Sequence, residues 1–331
     1  MRAFVTGASG FLGGALTKAL LCRGDAVQAF GRRDMGALKA LGASVFYGDL
    51  AELAAVSLAS RGCDIAFHVG AKAGVWGPAS DYRASNVDGT ANVLHACLEH
   101  GIKRLVYTST PSVVHAGADI AFADESLPYA THFDTAYPQT KAEAERMVLA
   151  ANGAALSTLA LRPHLIWGPG DNQLVPRLID RAKKGRLVFP GDGKALIDST
   201  FIDSAVEAHL LAGDNLRVGA ACAGRAYFVS QGEPLEIQDL VNRILATAGL
   251  APVKRTIPAG VAVAAGASLE FLWKLVGARG EPPLTRFVAK QMSTAHYFNL
   301  AAIRRDLGFG PKVSVAQGLD KLRAHFDSHP P

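Results

Sequence analysis

The segment Gly7-Ala8-Ser9-Gly10-Phe11-Leu12-Gly13 constrains the fold of this chain more than any other. It follows a short β-like run at 3–5 and opens a helical pattern over 11–22. GxxGxxG at a strand-to-helix junction has a direct physical reading. Gly7 permits the tight turn, Gly10 lets backbone approach a pyrophosphate, and Gly13 lets the helix pack close to the sheet. The helix N-terminus then offers free N–H groups and a partial positive charge to an anion. A glycine pattern alone often marks only a turn, but at the first strand–helix junction it predicts a dinucleotide site. Ser9, Phe11 and Leu12 come with it as cradle residues.

The rhythm after the loop agrees. Runs at 26–30, 45–47, 65–69 and 105–108 read as strands, with helical stretches at 50–58 and 86–99 between them and a further strand at 156–161. Strands alternating with helices predict an α/β, doubly wound parallel sheet of Rossmann type. Beyond Arg162, Pro163, Pro169, Pro176, Pro190 and the Gly191-Asp192-Gly193 turn break the pattern into shorter pieces. Helices at 174–183, 204–211 and 237–246 remain, and a strand at 226–229 is placed to return to the main sheet. The expected organisation is a dinucleotide-binding part mainly in 1–165 and a smaller substrate lobe mainly in 166–331, interleaved.

Composition excludes several classes. At 331 residues, 49% hydrophobic and 19% charged, the chain can bury a large core and is not disordered. The net charge of +5 is spread without a basic-aromatic run, so no nucleic-acid partner is expected. Cys22, Cys63, Cys97 and Cys222 lie far apart, as reduced thiols do, and no leader fits before the first strand, so a cytoplasmic protein is expected. No metal site is expected, because His95 and His100 are five apart, off one helical face. Residues 257–276 are strongly apolar but interrupted by Glu270 and Lys274, which favours a buried or pocket-lining helix over a membrane-associated one.

Two further motifs carry chemistry. The second strand ends Phe30-Gly31-Arg32-Arg33, with Gly31 where NAD-preferring sites commonly place an acid. Arg32 and Arg33 can pair with a 2′-phosphate, which favours NADP(H) and leaves NAD(H) possible, since Asp34 can reach back. Tyr137-Pro138-Gln139-Thr140-Lys141 is a YxxxK pattern heading a helical run. An i, i+4 spacing puts both side chains on one face, where the lysine cation would lower the phenol from its usual value of about 10 and make it a proton donor. Upstream, Thr108-Ser109-Thr110 ends a predicted strand, where parallel sheets form their ligand crevice. Thr110 is the first choice for a hydroxyl orienting a carbonyl, and Ser109 the second.

With these residues the chain resembles the extended short-chain dehydrogenase/reductases, in the 3β-hydroxysteroid dehydrogenase-like branch. The likeness rests on the glycine loop, Gly48-Asp49-Leu50, His68-Val69-Gly70-Ala71, Asn86-Val87-Asp88-Gly89-Thr90, the Tyr137/Lys141 pair and Leu161-Arg162-Pro163. It implies Tyr137, Lys141 and Thr110 as the catalytic set. It also implies Asp49, Leu50, Gly70 and Ala71 beside the adenosine, Lys72, Asn86 and Ser109 near the cofactor, and Pro163 along the nicotinamide pocket. A narrower likeness in 71–77, 107–113 and 279–287 implies reduction of a β-keto acid to the β-hydroxy acid with NADPH. Alkyl chains would then lie against 261–276, and Arg177, Arg286 or Lys72 would meet the carboxylate. His164 either touches substrate or packs as a hydrogen-bonded loop residue. The resemblance implies a homodimer and a lipid-like keto substrate. Sterol dehydrogenases, nucleotide-sugar epimerases and a non-catalytic cofactor sensor are the alternatives.

Overall fold

In the computed structural model, which describes residues 1–278 and 280–331, seven strands form one sheet. They are β1 (Arg2–Thr6), β2 (Ala26–Gly31), β3 (Ser44–Tyr47), β4 (Ile65–His68), β5 (Arg104–Thr108), β6 (Ser157–Pro163) and β7 (Ala226–Val229). Their order is β7-β6-β5-β4-β1-β2-β3, and every pairing is parallel. Parallel strands need crossovers, and the crossovers cover both faces, so the central strands are almost wholly buried. Ile65, Ala66 and Phe67 in β4 have no exposure at all.

Helix α1 (Phe11–Cys22) and Ile202–Asn215 cover one face of the sheet, joined to a core that includes Val5, Leu16, Phe67 and Leu161. Leu53–Ser60, Gly89–Glu99 and α2 (Ala136–Ala150) cover the other, around Phe4, Phe30, Val93 and Tyr107. Full burial of each such aromatic contributes about 1.5–3 kcal/mol.

The sheet order reverses between β1 and β4. There the chain after β1 meets the chain after β4 so closely that a Cβ on Gly7 would stand 2.6 Å from Gly70 Cα. A crevice outside the carboxyl ends of strands at such a switch point is the standard ligand position.

From the second half, Ile166, Asp171, Gln173, Phe287 and Gln291 reach this crevice. Leu235–Glu236, Leu196–Ile197, His296–Phe298 and Ile120–Ala123 form a four-stranded mixed sheet that the sequence pattern does not predict. Helices α3 (Leu174–Lys183), α4 (Ala259–Leu275) and α5 (Arg286–Ser293) complete the lobe. One expectation fails here. Helix α4 buries only Ala262, Gly266 and Glu270, while Val261, Phe271, Leu272 and Leu275 stand in solvent, so it is neither buried nor part of the cleft wall. No helix among the described residues is long and apolar enough to cross a membrane. Arg279, part of the 279–287 likeness, lies outside the described residues.

Candidate active site

A cleft of about 550 Å³ runs along the carboxyl ends of β1, β2, β4, β5 and β6. At one end the glycine loop forms its floor. Gly7 adopts φ +68°, and a Cβ on Gly13 would fall 2.2 Å from Gly7 O, so only glycine permits this crossing of helix and loop. Gly10 caps α1 in extended backbone with no side chain bonded to the first turn, and that turn carries no acid. The opening N–H groups of α1 are therefore left for a ligand, and the dipole favours an anion. A Cβ on Gly10 would sit 3.1 Å from Gly7 O, so the residue also keeps the loop shallow.

Ser9, Phe11, Leu12, Arg32, Arg33, Asp49, Leu50, Gly70 and Ala71 line the cleft from this end, and Lys72 follows them along its wall. Position 31 explains itself: a side chain there would collide with Ser9, whose Oγ would lie 2.7 Å from the new Cβ. Asp34 does not reach back, because its Oδ1 accepts the Gly36 amide at 3.1 Å. Arg33 donates to the Ser9 carbonyl at 3.2 Å and Arg32 to Asp49 Oδ2 at 3.1 Å, which sets two guanidinium groups over the end of β2. The glycine cradle and the uncapped helix together fit a dinucleotide.

Asn86 departs from expectation. It does not line the cleft but lies behind it, 1% exposed, in a π-helical turn at Ala84–Asp88. Its Oδ1 accepts the Lys72 amide at 2.7 Å, and its Nδ2 donates to Lys72 O at 3.1 Å and Thr140 Oγ1 at 3.0 Å. It fastens the loop after β4 to the first turn of α2. His68 works similarly, bridging Thr6 Oγ1 at 2.8 Å and Thr90 Oγ1 at 2.9 Å. Burial lowers it to about 3, so it stays neutral.

The other end holds Tyr137, Lys141, Ser109 and Thr110, with Pro163 at the end of β6. Helix α2 starts at Ala136, so Tyr137, Lys141 and Glu145 recur on one face at four-residue intervals. Lys141 is 2% exposed; its ammonium donates to Thr108 O at 2.6 Å and lies 4.1 Å from the centre of the Tyr107 ring. Burial pulls it down to about 7, against the pull of Glu145. Glu145 is itself fully buried and takes three hydrogen bonds from Arg162, the shortest 2.6 Å, and one from Tyr129 Oη at 2.7 Å.

The expected lowering of Tyr137 by Lys141 is absent from this geometry. Burial pushes the phenol up to about 12, with the Thr110 hydroxyl pulling the other way. Lys141 points its charge at the strand carbonyl instead. A phenol in this state is protonated at neutral pH and can act as a donor to an alkoxide. Thr110 caps the 3₁₀ turn Pro111–Val113, accepting the Ser112 amide at 3.2 Å, and its hydroxyl lies 3.2 Å from Ser112 Oγ. Ser109 lines the cleft, and its Oγ is buried without a hydrogen-bond partner.

The sequence reading missed Ser112, Asp171, Gln173, Phe287 and Gln291, which also line this end. Asp171 after Gly170 carries a visible signal, since it caps α3 through the Gln173, Leu174 and Val175 amides. Phe287 and Gln291 carry none, because α5 reaches the cleft only through the fold. His164 is a hydrogen-bonded loop residue, its Nδ1 bonded to Asp198 O, and it also lines the cleft. The three basic residues considered for a carboxylate are all paired, Arg177 with Glu281 at 2.9 Å, Arg286 with Glu270 at 2.8 Å and Lys72 with Asp81 at 2.6 Å. Lys72 alone of the three lines the cleft.

Comparison with known proteins agrees with this geometry. Residues 4–259 match the model of the 3-beta hydroxysteroid dehydrogenase/isomerase family. The chain is 51% identical over 327 residues to a 2-alkyl-3-oxoalkanoate reductase of Stenotrophomonas maltophilia, covering 98% of this chain and 99% of that protein. It is 46% identical to the Shewanella oneidensis protein of the same name, covering 98% and 86%. Among solved structures, MoeE5 in complex with UDP-glucuronic acid and NAD superposes with a TM-score of 0.75 at 25% identity, covering 99% of both chains.

Proposed function

This chain belongs to the 3-beta hydroxysteroid dehydrogenase/isomerase family and is an oxidoreductase, and we propose that it reduces the ketone of a 2-alkyl-3-oxoalkanoic acid to the hydroxy acid with NADP(H). The observation that carries this reading is the convergence of Tyr137, Lys141, Thr110 and an unpartnered Ser109 in the same cleft as the glycine cradle. The 51% identity to a protein named for that reaction supports the substrate class.

In this reading Gly7, Ser9, Gly10, Phe11, Leu12 and Gly13 hold the pyrophosphate, and Asp49, Leu50, Gly70 and Ala71 the adenosine. Arg32 and Arg33 receive a 2′-phosphate, which is our ground for NADP(H) over NAD(H). Ser109, Lys141 and Pro163 hold the nicotinamide riboside. The bound dinucleotide supplies hydride to the ketone carbon. Tyr137 gives its phenolic proton to the carbonyl oxygen, while Thr110, with Ser112 beside it, holds that oxygen in line. Lys141, held by the Thr108 carbonyl, offers positive charge to the phenolate left behind, and the charge of buried Glu145 favours the cationic form of that lysine. The carboxylate goes to Lys72, the candidate cation that lines the cleft. We keep the division into a mainly cofactor-binding 1–165 and a mainly substrate-facing 166–331, and a homodimer, as parts of the same proposal.

The test is NADPH consumption by purified protein across 2-alkyl-3-oxoalkanoic acids, 3-ketosteroids and nucleotide sugars. Turnover confined to the keto acids is expected. Turnover confined to steroids would transfer the site to the sterol branch, and tight cofactor binding with no turnover on any ketone would make it a sensor.

A further inference from the structure

Helix α4 raises a separate question. Its inner face is small and closed: a Cβ on Gly266 would meet the Thr285–Arg286 backbone at 2.7 Å, and Glu270 takes the Arg286 amide and guanidinium at 2.7 and 2.8 Å. Its outer face carries Val261, Ala264, Ser268, Phe271, Leu272 and Leu275 at helical spacing, continued by Val276. The five large apolar residues among these are between 48% and 70% exposed. Single exposed apolar residues need no explanation, but five on one helical stripe do.

The charge around the stripe says what covers it. The strand Thr256–Ile257 that leads into α4 pairs with Phe189–Pro190, and Arg255 donates to Gly185 O at 3.1 Å. This joins exposed Lys183, Lys184 and Arg186 to exposed Lys254 and Arg255 at the N-terminal end of the helix, with Lys274 near the other end. Residues 181–186 and 254–276 contain seven Lys and Arg against one acid, Glu270, which is buried on Arg286. Asp180 beside them pairs with Lys184 at 2.7 Å and Lys183 donates to Pro331 O at 2.9 Å, which leaves Arg186, Lys254, Arg255 and Lys274 to frame the stripe. An apolar stripe framed by cations is the signature of a helix lying in the interface of an anionic bilayer. A second copy of the chain fits poorly, because a two-fold contact would set the same cations against each other.

The position also suits the cleft. Lys274 lies 5.8 Å from the centre of the Trp76 ring, and the neighbouring Val75 lines the cleft, as does Phe287 on α5, the helix packed against α4. We propose that α4 docks the protein, without crossing, on an anionic phospholipid surface, with the cleft mouth beside the lipid.

Flotation with vesicles tests this and uses no substrate, so its result is independent of the proposed reaction. The wild-type protein should float with vesicles of equal parts phosphatidylglycerol and phosphatidylcholine. It should float far less with phosphatidylcholine alone, and less at high salt. Phe271→Glu/Leu275→Glu, at exposed positions, should cut the bound fraction about tenfold or more, and Lys254→Glu/Arg255→Glu should do so through charge alone. Three outcomes would overturn the proposal. They are wild type left in the lipid-free fraction with both vesicle types, flotation unchanged by both double variants, and loss of a lipid-free oligomer in the first variant on analytical ultracentrifugation. The last would assign the stripe to a second copy.

Discussion

Glu145→Gln removes a charge that touches neither cofactor nor substrate, and its effect can be worked out from the structure. Glu145 is fully buried, and Arg162, its partner through three hydrogen bonds, is 3% exposed. The amide keeps the volume but leaves a buried guanidinium without its counter-charge, and Arg162 Nη1 already lacks a partner. Breaking one side of such a pair costs about 3–5 kcal/mol. Unfolding entropy scales with chain length, so for this chain each kcal/mol shifts Tm by about 1.5 °C, giving a drop of about 4–7 °C. A second effect follows through Lys141. Glu145 is the charge that opposes the lowering of Lys141 by burial, so its loss moves Lys141 further below about 7. The alkaline limb of kcat/KM should therefore move to lower pH, because Lys141 loses at lower pH the charge proposed to stabilise the phenolate. Calorimetry and a pH–rate profile check both parts. A Tm within about 1 °C of wild type, or an unmoved alkaline limb, would refute the reasoning, and Glu145→Leu/Arg162→Met should recover most of the Tm but not the limb.

Other outcomes are expected as well. Gly13→Ala forces a methyl against Gly7 O, so NADPH affinity by fluorescence titration should fall at least about tenfold; unchanged affinity would contradict the cradle. Arg33→Ala should lower the kcat/KM preference for NADPH over NADH by about ten- to a hundredfold, the worth of one charged hydrogen bond, and an unchanged ratio would remove Arg33 from cofactor selection. Burial holds His68 near 3 and His164 and His209 near 4, so below pH 6.5 the unfolded chain binds protons that the folded chain refuses. Stability should accordingly be intact above pH 6.5 and fall towards pH 4 by about 3 kcal/mol per histidine, and urea melts showing a flat profile there would contradict it.

What the sequence makes legible here is what is local. Helix α1 spans Phe11–Cys22 and α3 spans Leu174–Lys183, as their periodicity indicates, because each is bounded by a glycine or a capping aspartate close in the chain. The glycine loop and the Tyr137–Lys141 spacing are likewise written within a few residues. Long-range partners are not. Arg177 and Arg286 look free in sequence, and only folding brings Glu281 and Glu270 to them. Asn86 has the composition of a site residue, yet its amide is consumed by Lys72 and Thr140. An apolar helix such as α4 does not declare which side is covered, since Ala and Gly can serve either face. The four-stranded sheet rests on segments of two to four residues, one from the first half and three from the second, too short to carry a period.

Tyr137→Phe, assayed with NADPH and a 2-alkyl-3-oxoalkanoic acid beside a cofactor titration, bears most directly on the chemistry. Cofactor affinity should stay within about twofold while kcat falls by about 10²–10⁴, the usual contribution of a positioned proton donor. Turnover at the wild-type rate in that variant would mean that the proton comes from elsewhere.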